Sequence, residues 1–295
     1  MVSDFPFEWG ARTYVMGIVN VTPDSFSGDG LYGDGDDIAA AVAQARAYEA
    51  AGADLIDVGG ESTRPGHAPV DERTELARVV PAVRAIARAV SIPVSVDTSK
   101  AAVAAAALEA GARLVNDVWA LAADPAMAGV VARAGAPVIL MNNRRGKSYA
   151  DLVPDVIADL AARVRIAEGA GIARSRIIVD PGIGFDRTGA PDLELIDRLG
   201  ELRALGLPIL IGPSRKRFIG RILGDARGDA PPEERLEGTA AAVAVGIARG
   251  ADIVRVHDVA PIVKVARVAD AITRRSTVAT RSTPRAAPST RRSIC

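Results

Sequence analysis

Residues 52–58 read Gly52-Ala53-Asp54-Leu55-Ile56-Asp57-Val58, and residues 250–255 read Gly250-Ala251-Asp252-Ile253-Val254-Arg255. The same joint returns at Gly111-Ala112-Arg113-Leu114-Val115-Asn116, at Gly135-Ala136-Pro137-Val138-Ile139-Leu140 and at Gly206-Leu207-Pro208-Ile209-Leu210-Ile211. Glycine just past a helix supplies the left-handed turn that other residues resist. The run after each glycine is short, continuous and rich in β-branched residues, as in a strand buried on both faces. Runs at 14–19, 93–96 and 177–179 bring the strands to eight. Helices are expected between them, over about 36–51, 71–90, 100–110, 124–134, 151–170, 191–205, 233–249 and 261–273. Strict alternation means a parallel sheet, and eight units in about 270 residues suggest a closed (β/α)8 TIM barrel. The competing doubly wound sheet would carry a glycine-rich fingerprint after its first strand. Here that position reads Asn20-Val21-Thr22-Pro23-Asp24.

Composition sets the outer limits. With 49% hydrophobic and 24% charged residues, the 295-residue chain can bury a sizeable core. Lys+Arg and Asp+Glu both number 36, so no global basic field marks a nucleic-acid binder. The one Cys is Cys295, and His67 and His257 are the only histidines, which excludes disulfides and argues against zinc. No apolar stretch approaches a membrane span, so a cytoplasmic protein is expected. From Arg274 to Cys295 there are six Arg and no acid among Ser, Thr, Pro and Ala. The expectation is a single barrel domain over 1–273 followed by a disordered basic tail over 274–295.

In such a barrel the C-terminal strand ends carry the chemistry. Every expected end bears a polar group: Asn20; Asp57 and the run Glu61-Ser62-Thr63-Arg64-Pro65-Gly66; Asp97; Asn116-Asp117; Met141-Asn142-Asn143-Arg144; Asp180; Ser214-Arg215-Lys216; and Arg255 with His257. Asp97, Asn116 and Asp180 suit the donor-rich edge of a flat heterocycle. Lys216, Arg255, His257 and Arg64 suit an anion such as a diphosphate. Simpler roles stand beside these: Asp57 pairing with an Arg inside the barrel, Asp97-Thr98-Ser99 capping a helix, and Asp180-Pro181-Gly182 forming a plain turn.

Two long motifs make a resemblance specific. Met16-Gly17-Ile18-Val19-Asn20-Val21-Thr22-Pro23-Asp24-Ser25-Phe26-Ser27 and Asp57-Val58-Gly59-Gly60-Glu61-Ser62-Thr63-Arg64-Pro65-Gly66 resemble the signatures of dihydropteroate synthases. The remaining strand ends match in order, and the similarity covers about residues 12–272. The resemblance implies joining 4-aminobenzoate to 6-hydroxymethyl-dihydropterin diphosphate, with Mg2+ and in a homodimer. It implies that Asp97, Asn116, Asp180 and Lys216 hold the pterin, with Arg255 stacked on it and Phe185 and Met141 lining the pocket. Asn20 would bind Mg2+, Arg64, Arg255 and His257 would meet the diphosphate, and Thr63 and Pro65 would close over the aminobenzoate. Asp97, Asp180, Lys216, Arg255 and His257 would be the catalytic set.

Three places depart from the family pattern: Gly28-Asp29-Gly30, Asn142-Asn143 after Met141, and Asp186-Arg187 after Phe185. They leave a second reading beside the working transferase, namely a homologue that keeps the fold and ligand binding with weak or no turnover.

Overall fold

A computed structural model describes residues 7–22, 36–61, 70–144, 148–185 and 189–274. Eight parallel strands run β1 (Tyr14–Asn20), β2 (Leu55–Gly59), β3 (Val94–Asp97), β4 (Leu114–Asp117), β5 (Val138–Met141), β6 (Ile177–Asp180), β7 (Leu210–Ile211) and β8 (Ile253–Val256). The sheet order is β6-β5-β4-β3-β2-β1-β8-β7, and the single bridge Val179 to Ile209 joins its two ends into a barrel. The five joint glycines that announced strands, Gly52, Gly111, Gly135, Gly206 and Gly250, all have positive φ, between 61° and 121°.

The helices surround this barrel: α1 (Asp36–Ala51), α2 (Glu72–Ala89), α3 (Ala101–Ala110), α4 (Met127–Ala134), α5 (Leu152–Gly169), α6 (Ala190–Asp197), α7 (Arg217–Leu223), α8 (Leu236–Ala248) and α9 (Val259–Thr273). The expected helix over 191–205 divides into α6 and a 3-10 stretch, Leu199–Leu205. At Gly200 a Cβ would lie 3.3 Å from the Arg249 carbonyl, so the chain there approaches α8 closely. The short α7 was not anticipated, because a glycine, Gly220, interrupts a segment of only seven residues. Arg274, expected to open the tail, is fixed to the body: Nη2 donates to the Ala251 carbonyl at 2.6 Å and Nε pairs with Asp270 at 3.1 Å. Its long side chain folds back onto the barrel, which composition alone does not reveal. The rest of the expected tail lies outside the described residues.

Strand alternation sorts the core into two clusters. Val15, Val19, Ile56, Val58, Val96, Val115, Leu140, Val179, Ile211 and Val254 point outward and pack with the helices. Tyr14, Met16, Leu55, Leu114, Ile139, Ile178, Leu210 and Ile253 point inward as a separate cluster, with Phe7 and Trp9 packed against it. Period-2 geometry then dictates what stands above that apolar plug. Two residues beyond Leu55, Leu114, Ile178 and Ile253 come Asp57, Asn116, Asp180 and Arg255. The lower half of the barrel is sealed by hydrophobic burial, worth about 1.5–3 kcal/mol per large side chain, and the upper half is polar.

Candidate active site at the barrel mouth

Register brings the inward polar residues together. Asp57 is the Cα partner of Ser95, Asp97 is the partner of both Gly59 and Asn116, and Met141 is the partner of Asp180. Arg255 enters from β8 and ties the far side: Nε donates to Asp57 Oδ2 at 2.6 Å and Nη2 to Asp97 Oδ2 at 2.7 Å. Asn116 Nδ2 donates to the same Asp57 Oδ2 at 2.9 Å. Asp57 is fully buried, and this Arg pairing is the role the sequence had left open for it.

The cationic side is built by local backbone turns. Arg215 adopts a left-handed φ of 56°, rare for a residue with a Cβ. Its guanidinium is bound to Asp258 at 2.8 and 3.0 Å, and the next residue, Lys216, turns inward. Lys216 Nζ stands 4.0 Å from the centre of the Phe185 ring, a cation–π contact. Ser214 Oγ lies 3.0 Å from His257 Nδ1 and also accepts the His257 backbone N–H at 3.2 Å, which orients the imidazole. Tyr48 donates to the His257 carbonyl at 2.8 Å. Its ring fits against β1 only because residue 17 is glycine, where a Cβ would stand 2.5 Å from the ring.

The electrostatics follow from this crowding. Burial carries the Asp97 carboxyl up to about 7 against the pull of Arg255, with Asp57 adding to the rise. Burial, reinforced by the Arg255 charge, brings Lys216 down to about 8. Both groups therefore change charge near neutrality, a pattern concentrated at functional sites.

The plainer alternatives resolve individually. Asp97 does not cap α3, whose N-cap is Lys100 without a side-chain cap bond. Asp180 does shape its turn, accepting the Gly182 N–H at 2.7 Å, and still lies on the inward column beside Met141. Asp117 faces outward: buried, it accepts the N–H groups of Trp119 and Leu121 at 2.8 and 2.7 Å and serves the turn. Asn142 likewise faces outward from the strand end. Its Nδ2 donates to Asp159 at 3.0 Å and its Oδ1 accepts from Tyr149 at 2.7 Å, so this departure from the family pattern braces the loop over α5. Thr63, Arg64 and Pro65 fall outside the described residues, as do the departures at Gly28-Asp29 and Asp186-Arg187.

Asn20 ends β1 on the same rim. A Cβ on Gly59 would stand 3.7 Å from Asn20 Oδ1 and 3.8 Å from Asp97 Oδ2, so both oxygens border one space. Among the described residues no group of three His, Cys, Asp or Glu gathers to hold a metal. A hard cation that arrives on phosphate oxygens needs only one or two protein oxygens, and the amide oxygen of Asn20 fits that requirement.

Sequence reasoning offered Asp57 an Arg partner but passed over its bond to Asn116, and it passed over Gly184 as a seat for Lys216. The first was signalled by its position two residues above Leu55 on the inward column. The second had no signal, because the contact joins segments after different strands.

An eight-stranded barrel with buried acceptors and cations gathered at the C-terminal ends of its strands is the setting for the comparisons, which define the class: the profile described as "Pterin binding enzyme" matches residues 16–257. The dihydropteroate synthase of Bacillus subtilis (strain 168) is 48% identical over 261 residues, covering 88% of this chain and 89% of that protein. The solved dihydropteroate synthase of Clostridium difficile, determined in the presence of pteroic acid, superposes with a TM-score of 0.85 at 45% identity, over 91% of this chain and 99% of that one. That of Xanthomonas albilineans with 4-aminobenzoic acid gives 0.82 at 42% identity, over 89% and 94%. The chain belongs to the dihydropteroate synthase family.

Proposed function

We propose that the chain condenses 6-hydroxymethyl-7,8-dihydropterin diphosphate with 4-aminobenzoate and releases diphosphate. The observation that carries this reading is the Arg255 bridge to Asp57 and Asp97, which sets the acceptors Asp97 and Asn116 on one wall of the mouth and cations on the other. One solved relative was determined in the presence of pteroic acid, a conjugate of the kind this reaction forms, and another with 4-aminobenzoic acid, one of the two substrates; both support the reading.

In this reading Asp97, Asn116 and Asp180 accept the N–H groups of the pterin edge, while Lys216, Phe185 and Met141 line the ring. Arg255 stacks on the pterin and, with His257 and Arg64, receives the diphosphate. The C–O bond to diphosphate breaks with its electron pair leaving on oxygen. The arylamine nitrogen then forms the new C–N bond and sheds a proton. Developing positive charge on the pterin faces the carboxylates of Asp97 and Asp180. Asn20 would hold Mg2+ that neutralises the leaving diphosphate. Thr63 and Pro65 would shield the cation from water on the aminobenzoate side.

The protein works in the cytoplasm as a homodimer. One Cys, Cys295, asks for no oxidising compartment, and no helix among the described residues is long and apolar enough to cross a membrane. Val245 on α8 and Val268 and Ile272 on α9 are exposed apolar side chains that a second copy could cover. The test is diphosphate release by the purified chain with both substrates and Mg2+. Release that depends on 4-aminobenzoate supports the transferase. Pterin-diphosphate binding without release would instead establish the non-catalytic homologue.

A further inference from the structure

Asp57 is itself assigned no contact with substrate, yet it joins two residues that are, Arg255 and Asn116. Its Oδ2 receives Arg255 Nε from 198 residues away and Asn116 Nδ2 from 59 residues away. The side chain is fully buried above Leu55. Neighbours on β1 and β3 are Ile18 and Ser95, so no second cation from those strands balances it. A carboxylate accepts hydrogen bonds and donates none, whereas a primary amide has one donating and one accepting end. Asp57 therefore dictates which end of Asn116 faces it. With Nδ2 committed to Asp57, Asn116 Oδ1 takes no hydrogen bond among the described residues and is presented as an acceptor beside Asp97.

We infer that Asp57 is a positioning and specificity-determining residue, which fixes the Asn116 amide so that strands β3 and β4 offer a pterin edge acceptors only. The inference rests on the pterin reading above. It explains why an amide can sit in that row without ambiguity: a freely rotating amide would equally admit a ring edge with an acceptor at that place. It also assigns Asp57 a second task, holding the Arg255 guanidinium in the plane that reaches Asp97.

The test is a reciprocal exchange read by calorimetric titration of 6-hydroxymethyl-7,8-dihydropterin diphosphate and, separately, pteroic acid. Asp57→Asn should weaken both ligands by about tenfold or more. Asn116→Asp keeps an oxygen facing the pocket but sets two carboxylates against each other, and should also weaken binding about tenfold or more. In the double variant the new amide at 57 can donate to the new carboxylate at 116. Asp57→Asn should therefore strengthen binding in the Asn116→Asp background while weakening it in the natural one. A merely structural role for Asp57 gives losses that add, with no reversal of sign. Additive losses, or Asn116→Asp binding as tightly as the natural chain, would overturn the inference. If the single variants do not fold, recovery of a folded, pterin-binding double variant supports it, and failure to recover overturns it. If the natural chain binds neither ligand, the pterin reading itself fails.

Discussion

Gly184 and Lys216 meet so closely that a Cβ on the glycine would stand 2.6 Å from Lys216 Cδ, and Gly184 has a φ of +76°. The lysine stem lies across bare backbone, and this seat directs its ammonium over Phe185. Gly184→Ala should thus strain the turn by about 1–3 kcal/mol and displace Lys216. The expected result is a rise in the pterin KM with retained fold by circular dichroism. Unchanged kinetics would show that Lys216 does not need this seat.

Arg255 spans two carboxylates on different strands, with separate nitrogens at 2.6 and 2.7 Å. An ammonium cannot reproduce that fork. Arg255→Lys should cost about tenfold or more in kcat/KM. Arg255→Met leaves buried Asp57 without its cation and should destabilise the fold by about 3–5 kcal/mol. Urea unfolding of the two variants alongside steady-state kinetics separates these effects.

Asn142 belongs to a brace. It is held by Asp159 and Tyr149, while Arg144 binds Asp159 at 2.5 and 3.0 Å and lies 4.4 Å over the Tyr149 ring. Asn142→Ala should lower stability by about 1–2 kcal/mol and leave pterin affinity unchanged. A large affinity loss measured by titration would place this residue in the pocket after all.

The site should respond to pH in two senses. A donor edge needs ionised Asp97, so pterin affinity should rise as pH passes about 7 and fall as Lys216 loses its proton above about 8. Stability follows the opposite course at Asp97. A carboxyl whose folded pKa is raised stabilises fully below its unfolded value, and that contribution is lost as pH rises through about 7. For Lys216 the folded pKa is lowered, so unfolding takes up a proton between about 8 and its ordinary value, and its contribution grows with pH there. Asp97→Asn should flatten the stability profile below neutrality while weakening pterin binding. Titration and denaturation across pH 5–10 would check both signs, a range of about two units around each group.

Much of this was legible because the barrel repeats a local rule. Each joint glycine fixes a helix end by its own backbone freedom, so Gly52, Gly111 and Gly135 mark strand starts without tertiary information. The rim residues were legible because strand ends are read two residues at a time. Asn142 and Asp117 were grouped with that rim by sequence proximity, and parity sent both outward. The seat of Lys216 on Gly184 and the folding back of Arg274 depend on contacts between remote segments, which no local pattern encodes.

The most direct test of the central claim is calorimetric titration of 6-hydroxymethyl-7,8-dihydropterin diphosphate into the natural chain and into Asp180→Asn. One-to-one binding by the natural chain that falls by about tenfold or more in the variant is the predicted result. Equal affinity in both, with the variant folded, would contradict a pterin cradled at this barrel mouth.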